Sequence, residues 1–398
     1  MEAYDPESDD VGIVVKREPN YAQPSESDSL LTRAFAHGEG ITNGVDAPTP
    51  LKIAVVVTGI AGSYLVNQLG WDHEVTGFER HQRKKFASMC PWATNKHAVA
   101  KFAQRCDVDL EDRILHEGRR MVTSVGGLEV ESRLRGFVTF DKNGLTRDML
   151  RGQKVRYGSW ISDESDLKGY DLVVDATSLR VLLPKIESHE LWMPSVQYLV
   201  EYERPPFDDF RVQVLDGLGG YLWYFPLGDG SASVGAGDVN KGHVKAIEAF
   251  FRLHGGKRGR PDGRAVRLCP PRYCQPFASG RVVGVGESIG AVFALLADGV
   301  VPALECSELL VENVRDLGGY RRKVLKKFAF YETAYDFFLP VFQGRIGLVE
   351  QASLSQSILS HVLADQSRYG VELQPTRMTI EPFELIKQAL SFAKMLRT

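Results

Sequence analysis

The 398-residue sequence is short of most features that mark a specialised class of protein. It has five cysteines, Cys90, Cys106, Cys269, Cys274 and Cys306, too few and too scattered for a disulfide framework. It has no unbroken apolar run of the ~18 residues a membrane-spanning helix needs, so no such helix is expected. The opening MEAYDPESDD is acidic and lacks an apolar stretch, unlike a signal peptide. The histidines show no H-x-x-x-H or similar spacing and Cys269 and Cys274 have no companion ligand pair, so no metal site is expected. No internal repeat and no Ser/His/Asp constellation can be assembled. An excess of one charge is missing too: 48 Lys and Arg against 51 Asp and Glu leave a net charge of -3, which argues against a nucleic-acid binder. These absences point to a cytoplasmic chain that is at most peripheral on a membrane.

What remains is ordinary globular composition, 43% apolar and 25% charged, in a chain long enough for two or three domains. The charge is unevenly spread. Residues 1–50 carry ten acids against three bases, so a net -7 precedes a body of net +4. This segment, rich in Ser, Pro and Gly, is expected to be a mostly disordered tail with an edge strand over 11–15. The GEGI at 38–41 is read as chance in a polar tail.

Order is expected from Leu51. LKIAVVV is apolar on both faces, as in a parallel strand between helix layers. The turn TGIAGS, a helix from SYLVNQL and a second strand, HEVTGFER, complete a βαβ unit. Buried-strand patterns recur at Tyr170–Thr177 and Gly280–Gly286. Between them, residues 190–240 alternate polar and apolar, which predicts an inserted antiparallel sheet. After residue 300 the pattern is mainly helical. The expected fold class is α/β, a doubly wound nucleotide-binding domain with an inserted antiparallel β domain and C-terminal helices. Its expected parts are a tail over 1–50, nucleotide-binding parts at 51–185 and 278–318, a substrate domain at 186–277 and a helical region at 319–398.

Gly59 and Gly62 occupy the second and third glycine positions of a G-x-G-x-x-G turn. The second lets backbone approach a pyrophosphate, and the third lets the helix pack closely on the strand. Val57 stands where the first glycine belongs. Glu79, 20 residues after Gly59, suits a hydrogen bond to an adenosine ribose; Arg80 follows it.

Gly220-Tyr-Leu-Trp-Tyr-Phe-Pro-Leu-Gly228 resembles the Y-x-W-x-F-P signature of the geranylgeranyl reductase family of flavoproteins. Val282-Val-Gly-Val-Gly286-Glu287 is similar to that family's second flavin fingerprint, and Ala297-Asp-Gly299-Val-Val-Pro-Ala-Leu to its G-E-G-I-x-x-A-L segment. Arg147 falls where the family has an arginine opening a helix, and Cys90, in Cys-Pro-Trp-Ala-Thr-Asn, matches a cysteine in a loop approaching the flavin. Glu287, Ser178, Phe293-Ala294 and Asp298 depart from the family pattern, as Val57 does. The resemblance spans roughly residues 51–315. It implies FAD held by Gly59, Gly62, Glu79, Arg80, Arg147, Gly286, Glu287 and Gly299, with Cys90 as catalytic residue and Tyr221, Trp223 and Phe225 lining a substrate slot. The implied activity is saturation of prenyl double bonds in an isoprenoid lipid, with a ferredoxin or NAD(P)H as electron donor and peripheral membrane contact. The rival readings are a flavin monooxygenase or prenyl cyclase on the same scaffold, and a flavin-less relic that binds a lipid or a partner.

Three further features have bland readings of their own. The aromatic run at 221–225 also suits plain sheet packing. Cys269 and Cys274 are read as reduced thiols flanking a strand. Arg321, Arg322, Lys323, Lys326 and Lys327, with aromatics close behind, suit either an anionic lipid surface or a solvated helix face.

Overall fold

The computed structural model describes residues 49–86, 90, 92–186, 190–342 and 370–372. The tail, with its expected strand at 11–15, and most of the chain beyond 342 lie outside the described residues. In chain order the strands are β1 (Lys52–Val56), β2 (Glu74–Glu79), β3 (Ala93–Asn95), β4 (Ile114–Glu117), β5 (Arg120–Val125), β6 (Leu128–Leu134), β7 (Phe137–Phe140), β8 (Val155–Tyr157) and β9 (Leu172–Asp175). They continue with β10 (Trp192–Glu201), β11 (Phe210–Val214), β12 (Gly220–Gly228), β13 (Ser231–Asp238), β14 (Lys257–Arg258), β15 (Asp262–Arg267), β16 (Ala278–Ser279), β17 (Val282–Gly284) and β18 (Val371–Glu372). The helices are α1 (Ile60–Leu69), α2 (Lys96–Arg105), α3 (Lys142–Met149), α4 (His243–His254), α5 (Val300–Glu312), α6 (Leu317–Lys327) and α7 (Ala329–Phe342).

The first sheet runs β16-β17-β9-β1-β2-β8, with β17, β9, β1, β2 and β8 parallel. Its central strand β1 buries Ile53, Ala54 and Val55 completely, which is why its sequence is apolar on both faces. Leu65, Val66 and Leu69 of α1 join its core, as do Ala303, Cys306 and Leu310 of α5 and Tyr320 and Val324 of α6.

The second sheet has nine strands along β14-β10-β13-β12-β11-β5-β6-β18, with β15 also paired to β10. Four of its strands are those the alternation over 190–240 predicts, and α4 covers one face through Ile247, Phe250 and Phe251. Two others differ from the expected division of the chain. The β5–β6 hairpin, turned at Gly126-Gly127 with φ 57° and 85°, lies within 51–185 yet pairs into this second sheet, β5 running parallel to β11. A small sheet, β3-β7-β4, lies beside it, and Phe137 of β7 packs edge-on against Phe210 and Phe225. The nucleotide-binding sheet is thus interrupted twice.

Candidate functional site

The carboxyl ends of β1, β2 and β17 meet at three turns, the arrangement that forms a ligand crevice in open α/β sheets. At the first turn Val57 has φ 70°, a left-handed conformation disfavoured for a β-branched residue. The conformation has a local cause. It lets the Val57 amide donate to Phe78 O at 2.8 Å while its carbonyl turns toward α1. A Cβ on Gly62 would stand 2.1 Å from that carbonyl oxygen, so only glycine lets the helix pack here. Gly59, by contrast, faces open space, with nothing within 4 Å of the place its Cβ would take.

Glu79 closes β2 with its side chain buried. The Thr58 amide and hydroxyl both donate to one carboxylate oxygen at 3.2 Å. The His81 amide donates to the other at 3.0 Å, and His81 Nδ1 lies 2.9 Å from it. Arg80 is exposed and has no ion-pair partner among the described residues. Arg147 does not open a helix. Helix α3 begins at Lys142 because Asp141 caps it, accepting from the Gly144 amide at 2.8 Å, so Arg147 sits in its last turn, 3.8 Å from the Asp141 carboxylate.

At the second turn Gly286 has φ 68° and brings the chain against Ala61 and Ala303. Its amide donates to Cys306 Sγ at 3.4 Å, and burial pushes that thiol up to about 11. Glu287, which the resemblance places at the flavin, is met here by protein groups. One of its oxygens forms an ion pair with Arg264 of β15 and the other accepts from the Arg267 amide at 3.0 Å. The physical reason is reach: glutamate is one methylene longer than the aspartate usual there, and β15 presents a guanidinium to meet it. Burial opposes the Arg264 charge, but Glu287, Cys90 and Asp262 outweigh it and raise its pKa. Gly299 precedes α5, where a Cβ would touch only Val292.

Cys90 is half-buried and accepts from the Trp92 amide at 3.4 Å. Both Arg264 and Tyr221 feel Cys90 electrostatically, which places the thiol near each of them. Tyr221 donates from its phenol to Leu296 O at 2.5 Å. Burial, then Asp298 and Cys90, push its pKa far above the usual tyrosine range, so the phenol keeps its proton. Trp223 and Phe225 point the same way along β12 but go into the core with Phe210 and Leu134, and Trp223 Nε1 donates to Ser233 Oγ at 3.2 Å. Arg264 thus pairs with Glu287 and lies near Cys90, which in turn lies near Tyr221, while Arg147 sits by Asp141 and Arg80 is exposed. Arg264, Thr58 and His81 carry no motif. Only His81, two residues after the strand-ending acid, has a local cue.

Tested against FAD, the adenosine half offers open backbone at Gly59 and, at the end of β2, a carboxylate whose oxygens already meet Thr58 and His81. At the flavin half, Gly286 and Gly299 leave the backbone accessible, while Glu287 already has partners. Among the described residues no cluster of three metal-ligating side chains occurs, and no helix is long and apolar enough to cross a membrane. Three of the five cations of α6 are paired: Arg322 with Asp316, Lys323 with Glu312 and Lys327 with Glu305.

No family model matches the sequence. Over 98 residues the chain is 36% identical to digeranylgeranylglycerophospholipid reductase 2 of Methanothermobacter thermautotrophicus, a match that spans 23% of this chain and a quarter of that protein. In fold it is similar to a geranylgeranyl bacteriochlorophyll reductase-like protein of Thermoplasma acidophilum, with a TM-score of 0.61 at 12% identity over 86% of this chain and 96% of the other. It is similar also to a probable FAD-dependent monooxygenase of Pseudomonas aeruginosa, with a TM-score of 0.56 at 14% identity over 77% of this chain and all of the other. The chain thus shares a short segment of sequence with a digeranylgeranylglycerophospholipid reductase and its fold with these two solved structures.

Proposed function

We propose that the chain is an FAD-dependent oxidoreductase that saturates prenyl double bonds of an isoprenoid lipid. The observation that carries the cofactor is the open backbone at Gly59 in front of a helix N-terminus, beside a strand-ending acid. The 36% identity to a digeranylgeranylglycerophospholipid reductase supports the substrate class. In this reading the Gly59 turn approaches the pyrophosphate and Glu79 accepts from the ribose, with His81 giving way. Gly286 and Gly299 let backbone lie close to the flavin end. Bound FAD would supply the hydride for one alkene carbon. Cys90 would hold the proton for the other at Sγ, since Tyr221 is committed to Leu296. Arg264 fixes a positive charge between Cys90 and Glu287, and the aromatic face of Tyr221 shields the site from water. The electron donor would be a ferredoxin or NAD(P)H.

A Gly59→Val variant tests the cofactor directly. Its side chain fits the folded protein, because nothing lies within 4 Å, but it fills the approach. The expected outcome is unchanged thermal unfolding with loss of the flavin absorbance that the parent takes up from added FAD. Equal flavin uptake by parent and variant would sink the assignment.

A second reading, an aromatic monooxygenase, is favoured by one observation. With Trp223 and Phe225 in the core, Tyr221 alone of that aromatic trio remains beside Cys90, a short wall for a prenyl chain. Anaerobic reoxidation of the reduced flavin by a prenyl lipid would decide for the reductase. Oxygen-dependent NAD(P)H consumption with an aromatic substrate would decide for the monooxygenase.

A further inference from the structure

Two basic surfaces lie on this molecule, and they differ in how their charge is met. Three of the five α6 cations, Arg322, Lys323 and Lys327, are paired in place with Asp316, Glu312 and Glu305, and Arg321 donates to Gln275. The ledge at the carboxyl edge of β2 and β8 is not met in this way. Arg80, Arg83, Lys84, Lys85 and Arg156 are all exposed, and none has a carboxylate partner among the described residues.

Backbone contacts place Arg80 and Arg156 at one sheet edge, and Arg83, Lys84 and Lys85 occupy the short turn that follows. Arg156 pairs with Phe78 in the β2–β8 register, the Gly158 amide donates to His81 O at 3.0 Å, and the Ser159 amide donates to Glu79 O at 2.9 Å. The charges of Arg83 and Arg147 both act on the Tyr157 phenol, so α3 presents its arginine toward the same place. Five exposed cations along one stretch of surface, none met by a carboxylate among the described residues, favour an anion of matching extent.

The chain itself carries such an anion. Its first ten residues hold five acids, Glu2, Asp5, Glu7, Asp9 and Asp10, with no base, and residues 1–48 as a whole carry net -7. That segment joins the fold at Thr49, whose carbonyl accepts from Arg315. Forty-eight residues extend to at most about 160 Å at ~3.3 Å each. The ledge lies two strands across and one strand length up from Leu51, a few tens of ångströms at ~3.3 Å per residue and ~4.8 Å per strand. Reach is therefore ample, and tethering gives the segment a high effective concentration there.

We propose that the acidic N-terminal segment docks in cis on the ledge formed by Arg80, Arg83, Lys84, Lys85 and Arg156, held by charge and released by salt. The two lysines make the contact measurable. A zero-length carbodiimide reagent joins a lysine amine to a carboxylate only when they touch, and mass spectrometry locates the bond.

With the full-length protein, dilute and at low ionic strength, we expect monomeric products joining Lys84 or Lys85 to acids of residues 2–10, in clear excess over products from Lys323, Lys326 and Lys327. Salt near 0.5 M should remove them, since screening then acts within ~4–5 Å. So should the variant Arg83→Glu/Arg156→Glu, which leaves both reporter lysines in place. Products chiefly on the α6 lysines, ledge products only between two molecules, or yields indifferent to salt and to the ledge variant would overturn the proposal.

Discussion

Val57 is where a single side chain costs the molecule most visibly. A β-branched residue at φ 70° is strained by ~1–3 kcal/mol. Glycine would relieve that and give back ~0.5–1 kcal/mol through the freer unfolded chain. Val57 also packs part of its side chain against the core, so Val57→Gly is expected to leave stability within about 1 kcal/mol of the parent, measured as the denaturant midpoint at unchanged slope. His243 makes a different kind of prediction. It is buried at the start of α4 with neither ring nitrogen hydrogen-bonded within the described structure, and burial lowers its pKa below the ordinary 6.5. The unfolded state then binds a proton more readily than the native state. Stability is complete above pH 6.5 and falls as the pH drops below it, by at most about 1.4 kcal/mol per pH unit. His243→Gln should flatten that slope in denaturation curves taken between pH 7 and 5; an unaltered slope would assign it to other groups.

At the scale of the element, the β1–α1 turn shows what the sequence makes legible. The strand is readable because both its faces are apolar, and the glycine at 62 because a helix must touch a carbonyl there. Gly62→Ala is expected to cost about 3 kcal/mol or more, because its Cβ would meet backbone rather than a side chain that can move. Thermal unfolding of the variant checks this, with Gly59→Val as the neutral control. The β5–β6 hairpin is half legible. The Gly126-Gly127 pair between alternating runs signals the turn, but its parallel partner β11 lies some ninety residues on and leaves no local trace. Helix α3 illustrates the reverse: its start is set by the Asp141 cap, a signal plain in the sequence once the cap rather than the arginine is sought. The aromatic strand β12 could be placed but not apportioned. Alternation puts Tyr221, Trp223 and Phe225 on one face, and only the neighbouring small sheet determines that two of them are core.

For the molecule as a whole, the least legible feature is the joint between its two large sheets. Arg264 lies on β15 of the second sheet and Glu287 in the turn just beyond β17 of the first, and nothing in either local sequence announces the other. Glu287 is 14% exposed, so removing its partner strands a largely buried carboxylate. Arg264→Met should cost about 1–3 kcal/mol, discounted because the arginine itself is 32% exposed. Adding Glu287→Gln should recover much of that loss. Equal unfolding free energies for the single and double variants would show that the pair does not couple the sheets.

The double interruption of the parallel sheet also has a consequence for how the molecule is made. Strand β9 is complete at Asp175, but its neighbour β17 begins at Val282. At ~5–20 residues per second, a ribosome needs roughly 5–20 s to deliver the hundred or so residues between them. For that interval Leu172, Val173 and Val174 present an apolar edge with an unfilled ladder, the kind of surface that recruits wrong partners. Production of this chain should therefore respond to anything that occupies a nascent strand edge, such as a chaperone near the exit tunnel, and to the speed at which residues 176–281 are translated.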